Sequence, residues 1–307
     1  MKQKISKLIS IFLIFSLALS VAAFTLDESY AAAKPQYIAH RGWSSKAPEN
    51  TLPAFKLAAK NSKFYGVEFD IWESTAEKKV VKTETVVDEE GNPVLDENGN
   101  VQTVEKKADP LLLVMHDESI KRMCGVNKSI RSVTRANRTK YNIKSGNNIK
   151  KYKNVKIPTA DLALKAIWDN SNGAIPVIEL KHKLSARALN YLFDLIGDHK
   201  VSVISFDYDA VTAVVNKAKA RGVSENVQTM YLMNKLSSSK YTSTAKKLKK
   251  AGIDCSSIKY TYVNKTAVKT FHKYGIKVCT WTLPNKKTAA KYAKMGVDYI
   301  TANGAVY

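Results

Sequence analysis

Short apolar runs alternate with amphipathic stretches along almost the whole chain, and this alternation restricts the fold more than any other feature. Runs of strand length lie at 37–42, 66–72, 111–116, 174–181, 201–207, 227–233, 253–258, 276–282 and 298–302. Stretches with helical periodicity lie between them at 51–62, 160–170, 184–197, 209–221, 243–251, 265–274 and 286–295. Strands separated by helices predict parallel β-α-β units. Several runs are nearly continuous in apolar residues, as a sheet covered on both faces requires. The spacing predicts an α/β, single-domain (β/α)8 barrel over residues 34–307, with an open doubly wound sheet as the alternative. Nine runs for eight places leave one surplus, and 253–258, short and polar, is the expected one.

Two segments interrupt the alternation. Residues 78–109 contain Asp88-Glu89-Glu90-Gly91-Asn92-Pro93 and Asp96-Glu97-Asn98-Gly99-Asn100. Both read as turns between short polar β runs, so a β-hairpin-like insertion between strands 2 and 3 is expected. The second turn has part of a calcium-loop pattern but lacks its full spacing and terminal glutamate. Residues 121–156 form a long basic loop, the kind of segment that often serves as a lid or binding surface.

The N-terminus carries Lys2, Lys4 and Lys7, then an apolar run from Ile9 to about Ala23, then small residues. That is the order of a secretory signal peptide, expected over 1–33 with cleavage after Ala23 or Ala33. The run is short for a membrane-spanning helix, which needs about 20 apolar residues. The expected product is secreted, extracellular or loosely held at the cell surface. Cys124, Cys255 and Cys279 show neither a disulfide framework nor a cysteine zinc spacing, and Cys279 reads as core.

The formal net charge is +22; three lysines and two acids fall within residues 1–33, so +21 remains beyond them. Such a field favours anionic partners: lipid headgroups, a membrane surface or phosphate-rich wall polymer. Nucleic acid is not expected, because no basic run is interleaved with aromatics and no reader motif is present.

The residue types that carry chemistry fall at predicted strand ends, which a parallel barrel gathers over one mouth. His40 and Arg41 end the first strand, Glu68 and Asp70 lie near the end of the second, and His116 and Asp117 end the third. Glu179 and Lys181 end the fourth, and Trp281 the penultimate one. Glu68 and Asp70, two apart on a strand, face the same way and repel unless a cation or proton lies between them. With Glu179 they offer oxygen ligands only, which select Mg2+ or Ca2+. His40 and His116 suit general acid and base duty. Arg41 offers a planar fork to phosphate oxygens and Lys181 a point charge. The set suits a phosphodiester better than a glycoside, whose cleavage calls for neither two histidines nor an arginine clamp. Trp281 reads equally as packing or as a substrate wall. Asn50 and Thr51 read as the start of a helix, and Glu49 and Asp117 stay open.

From Tyr37 to about Asn303 the chain resembles the glycerophosphodiester phosphodiesterases. The resemblance rests on His40-Arg41-Gly42 with Pro48-Glu49-Asn50-Thr51, Glu68-Phe69-Asp70, Met115-His116-Asp117 and Ile157-Pro158-Thr159. Ile178-Glu179-Leu180-Lys181, Ser205-Phe206 and Trp281-Thr282 complete it. It implies a TIM barrel that cleaves glycerol phosphodiesters to glycerol 3-phosphate and an alcohol. It also implies a divalent cation, Ca2+ or Mg2+, on Glu68, Asp70 and Glu179, with His40 and His116 as the acid/base pair. Arg41 and Lys181 would then lie on the phosphate and Trp281 beside the glycerol. The chain departs from the family where Ile-Thr-Asp is common, with Ile300-Thr301-Ala302-Asn303, and in Trp281-Thr282-Leu283-Pro284-Asn285. Small glycerophosphodiesters and glycerol-phosphate polymer are the expected substrates. A phospholipase of the same barrel acting on lysophospholipids or phosphoinositides is the alternative. A non-catalytic module binding anionic wall polymer is a third reading, against which the intact histidines and acids argue.

Overall fold

The computed structural model describes residues 34–77 and 81–307, so the leader expected at 1–33 lies outside the described residues. In chain order the strands are β1 (Gln36–Ala39), β2 (Phe64–Glu73), β3 (Val81–Thr85), β4 (Thr103–Lys107), β5 (Leu112–Val114), β6 (Ile175–Leu180), β7 (Val201–Ser205), β8 (Val227–Met233), β9 (Cys255–Lys259), β10 (Lys277–Leu283) and β11 (Tyr299–Ala302). Eight of them form a parallel ring in the order β1-β11-β10-β9-β8-β7-β6-β2, and β1 pairs with β2 to close it. Closure leaves no free edge among these staves.

Helices Leu52–Ala59, Ala160–Trp168, Ala186–Ile196, Tyr208–Ala220, Tyr241–Ala251, Lys265–Lys273 and Lys286–Ala293 follow the first seven staves. Thr51, Ser185, Asp207, Asn264 and Asn285 cap five of them, each side-chain oxygen accepting from a first-turn backbone N–H. Apolar helix faces and outward strand residues form two clusters around the ring, one built on Phe55, Phe69, Ile178 and Phe193, the other on Leu248, Phe271 and Ile300. Inside the ring, Ile38, Val177, Ile204, Met230, Leu232, Cys255, Cys279 and Tyr299 pack together.

The surplus strand is not 253–258. β9 is a stave, parallel to β8 and β10. It reads as polar because Ser256 and Ser257 are buried small residues, and the Ser256 hydroxyl donates to the Lys277 carbonyl. The strand outside the ring is β5, antiparallel to the end of β2 through Ile71–Val114 and Glu73–Leu112. It looks like a stave because it serves two cores. Leu112 and Val114 join the main core, while Leu111, Leu113 and Met115 join a separate cluster with Ile120, Met123, Ile130, Val133 and Ile143. The segment after it is therefore a packed cap with its own small core rather than a loose lid.

β3 and β4 form the expected hairpin, paired from Val81–Lys107 to Thr85–Thr103. Asp88 accepts from the backbone N–H groups of Glu90 and Asn92, and Asp96 from those of Asn98 and Asn100. Both are Asx-type turns, the turn reading made from the sequence. No helix among the described residues is long and apolar enough to cross a membrane.

Candidate active site

The chain leaves β1 through a tight turn in which Arg41 and Gly42 are both left-handed, with φ of 57° and 74°. The turn aims the Arg41 backbone N–H at Glu68, whose Oε2 accepts at 2.6 Å. It also brings the Pro48–Thr51 segment over the end of β2. Asn50, itself left-handed and buried, donates from Nδ2 to Asp70 Oδ2 at 2.7 Å, and its Oδ1 accepts from the Asp70 backbone N–H at 3.2 Å. Thr51 is the helix cap expected from the sequence. Asn50 is more than that, because it fixes Asp70.

Parallel pairing sets Asp70 beside Glu179 on β6, and ligand-type oxygens of Glu68, Asp70 and Glu179 all lie within 4.8 Å of one another. All three residues are buried, and neither Glu68 Oε1 nor Asp70 Oδ1 has a hydrogen-bond partner. Lys181 donates to Glu179 Oε1 at 2.8 Å and lies 3.3 Å from Asp70 Oδ1 without hydrogen-bond alignment. Burial, then Asp70 and Glu179, hold the Glu68 pKa well above the usual carboxylate range. Burial and Asp70 push Glu179 up to about 7. Burial acts the same way on Asp70, but Lys181 and Arg41 outweigh it and keep Asp70 ionised. One charged carboxylate and two that resist ionisation make a site short of positive charge.

His40 and His116 both line the cavity that holds Glu68 and Glu179. His116 arrives by an unexpected route. The strand before it returns antiparallel from beyond the end of β2, and the Met115 backbone N–H donates to the Asp70 carbonyl. His40 Nδ1 lies 2.7 Å from Asn303 Oδ1, and His116 Nδ1 lies 2.7 Å from Asp117 Oδ1. Both partners are acceptors, so Nδ1 carries the proton in each ring and Nε2 of the neutral ring keeps its lone pair. Desolvation first, and Arg41 second, lower the His40 pKa to about 4. Burial would raise Asp117, but hydrogen bonds from Arg122 and His116 bring it to about 2.

The cavity holds about 280 Å³. Ile38, Val177, Ile204, Met230, Leu232 and Cys279 give it an apolar floor, so Cys279 is both core and cavity wall. Trp281 and Phe206, edge to face at 5.4 Å, form one side, and Trp281 Nε1 donates to the Ser257 carbonyl. Every site residue expected from the sequence stands in the cavity or against its acids. Arg41 lines it and is tied to Glu49 by a 2.9 Å ion pair. Sequence reasoning did not assign Asn50, Asn234, Asn303 or Arg122 to this mouth. Asn50 stands within a motif and Arg122 close to one, Asn234 directly follows β8, and Asn303 is the departure from the usual acid.

The matching family model is the glycerophosphoryl diester phosphodiesterase family, over residues 104–304. That span begins within the inserted hairpin, so β1 and β2 join the comparison by geometry. The YhdW protein of Bacillus subtilis (strain 168), whose name assigns it provisionally to the glycerophosphodiester phosphodiesterases, is 25% identical over 282 residues, 87% of this chain and 93% of that protein. The fold resembles a phosphodiesterase of Oleispira antarctica solved with its product sn-glycerol-3-phosphate, with a TM-score of 0.66 and 19% identity over 88% of this chain and 93% of that one. It also resembles a glycerophosphodiester phosphodiesterase of Parabacteroides distasonis, with a TM-score of 0.62 and 21% identity over 88% and 93% of the two chains. With this family model covering well over half its length, the chain belongs to the glycerophosphoryl diester phosphodiesterase family of enzymes.

Proposed function

We propose that this chain hydrolyses small glycerophosphodiesters to sn-glycerol 3-phosphate and an alcohol, with His40 and His116 as the acid/base pair and a divalent cation held by Glu68, Asp70 and Glu179. The observation that carries the reading is the convergence, at one cavity, of three buried carboxylates and two histidines with Nδ1 held by acceptors. The orphaned Glu68 Oε1 and Asp70 Oδ1 fit a hard cation, and the all-oxygen donor set favours Ca2+ or Mg2+. When bound there, such a cation would supply charge neutralisation and polarisation of a phosphoryl oxygen.

The protein's own groups divide the remaining work. His40 is neutral at physiological pH, so its Nε2 takes the proton of the attacking oxygen as the new P–O bond forms. His116, in the form that also carries a proton on Nε2 while the ionised Asp117 holds its Nδ1–H, delivers that Nε2 proton to the alcohol oxygen as its P–O bond breaks. Arg41 and Lys181 balance the phosphate charge, and Trp281 with Phe206 walls the glycerol. The attacking oxygen is water or the neighbouring glycerol hydroxyl; the second route gives a cyclic phosphate and fails if a substrate without that hydroxyl is cleaved equally fast. Of the exposed large apolar side chains among the described residues, only Phe206 lines the cavity, which favours a small soluble diester over a lipid still in its bilayer. The leader reading makes the enzyme secreted or surface-associated, where lipid-derived diesters and glycerol-phosphate wall polymer are the available sources.

The test is release of glycerol 3-phosphate from glycerophosphocholine, with and without chelator, by wild type and His40→Ala. The expected result is abolition by chelator, recovery on adding Ca2+ or Mg2+, and a loss of about 10²-fold or more in His40→Ala. Chelator-resistant turnover removes the cation, and an undiminished His40→Ala removes the base.

A further inference from the structure

We infer that Arg122 is a positioning residue that ties His116 to Arg41 through two carboxylates, Asp117 and Glu49. This rests on the reading of His116 and Arg41 given above.

Four charges alternate across the mouth. Arg41 Nη1 donates to Glu49 Oε1 at 2.9 Å, and Arg122 Nη2 donates to the same oxygen at 2.7 Å. Arg122 also donates from Nε to Asp117 Oδ2 at 2.5 Å, and Asp117 Oδ1 accepts from His116 Nδ1 at 2.7 Å. Glu49 belongs to the turn after β1 and Asp117 to the segment after β5. One guanidinium therefore joins the two loops that carry the phosphate-binding and proton-transfer groups.

The anchoring of Arg122 supports a positioning role. It lies on the single helical turn Lys121–Cys124, where Met123 and Cys124 are buried and Gly125 closes the turn in a left-handed conformation. Its own side chain is 45% exposed, so as an ion pair it adds little to stability. Its geometry matters more. Asp117 has one oxygen on His116 and one on Arg122, which fixes the plane of the carboxylate and with it the imidazole. Without Arg122, Asp117 is free to rotate and Glu49 keeps only Arg41. A lysine supplies the charge but not two donors fixed in one rigid plane.

Arg122→Ala and Arg122→Lys are each expected to lower kcat for glycerophosphocholine by about 10- to 100-fold, the scale of a small misplacement of a reacting group. Thermal midpoints should stay within a few degrees of wild type. Arg122→Ala combined with Asp117→Asn should cost little more than the worse single variant, because both cut one relay. Nitrogen NMR of the His116 ring, recorded on the cation-free protein, gives a readout independent of turnover. At a pH high enough to leave the ring neutral, wild type should show one Nδ1–H tautomer, and both Arg122 variants a mixture. Wild-type kcat and an unmixed tautomer in Arg122→Lys, with His116→Ala inactive, overturn the positioning role and leave the proposed reaction standing. Full activity in His116→Ala overturns the acid/base reading instead, and the tautomer measurement then decides the relay by itself.

Discussion

Asn50 holds Asp70 by two hydrogen bonds from a left-handed backbone that asparagine tolerates and alanine does not. Asn50→Ala loses both bonds and adds backbone strain, so urea unfolding should show a loss of roughly 3 kcal/mol. A loss under about 1 kcal/mol would mean that Asp70 holds its place without it. The buried acids give a second expectation. Glu179 binds its proton more tightly in the folded chain, with a pKa of about 7 against an ordinary 4.5. Its contribution to stability is therefore full below about pH 4.5 and is lost as the pH rises through 7. The cation-free wild type should lose stability relative to Glu179→Gln between pH 5 and 8, and added Ca2+ or Mg2+ should raise the wild-type melting temperature more at pH 8 than at pH 5.5. Parallel melting profiles for the two proteins would remove Glu179 from the acid cluster. The eight expected residues do meet at one place, seven of them because their place near the ends of parallel staves is written in the chain, and His116 by the antiparallel return of β5 rather than by a stave end. The groups that orient them were not legible: Asn303 meets His40 across 263 positions, and only closure of the ring sets that distance.

Strands are legible when each face has one kind of neighbour, and β5 and β9 each break that condition. β5 divides its apolar side chains between two cores, so it reads as a stave it is not. β9 turns small hydroxyl side chains into a crowded place, so it reads as surface. The helices, with one apolar stripe each, match the expected stretches to within a few residues. The turn after β1 shows how closely the elements pack. A Cβ on Gly42 would stand 2.7 to 2.9 Å from the backbone carbonyl carbon, carbonyl oxygen and Cβ of Ala54, and φ there is +74°. Gly42→Ala should therefore push the helix Leu52–Ala59 away from the turn and cost about 2–4 kcal/mol in denaturant unfolding. It should also displace the Arg41 N–H from Glu68 and lower turnover with it. A stable and fully active Gly42→Ala would show that the turn has slack the contact distances deny.

Charge is uneven over the molecule as a whole. Residues 81–107 carry seven Asp or Glu and three Lys, a net −4 within a chain of +22, so the remainder stands at +26. This acidic arm leaves the barrel beyond the end of β2, on the side where the candidate active site opens. It adds little to the core: β4 is exposed throughout, and Val81, Val87, Leu95, Val101 and Val104 all stand open to solvent. Replacing residues 81–107 by a short Gly/Ser link should change the unfolding free energy by no more than about 1 kcal/mol, since surface segments of this kind bury little apolar area. Electrostatics should respond more. The basic body draws an anionic diester toward the mouth, and the arm opposes that field. Its removal should raise kcat/KM for a diester with a neutral alcohol by a few-fold at low ionic strength. The gain should fade as salt shortens the screening length from about 30 Å at 0.01 M to about 3 Å at 1 M. Zwitterionic glycerophosphocholine should respond less, because its ammonium is attracted by the same acids that repel its phosphate. Identical salt profiles with and without the arm, for both substrates, would show that its charge does not reach the mouth.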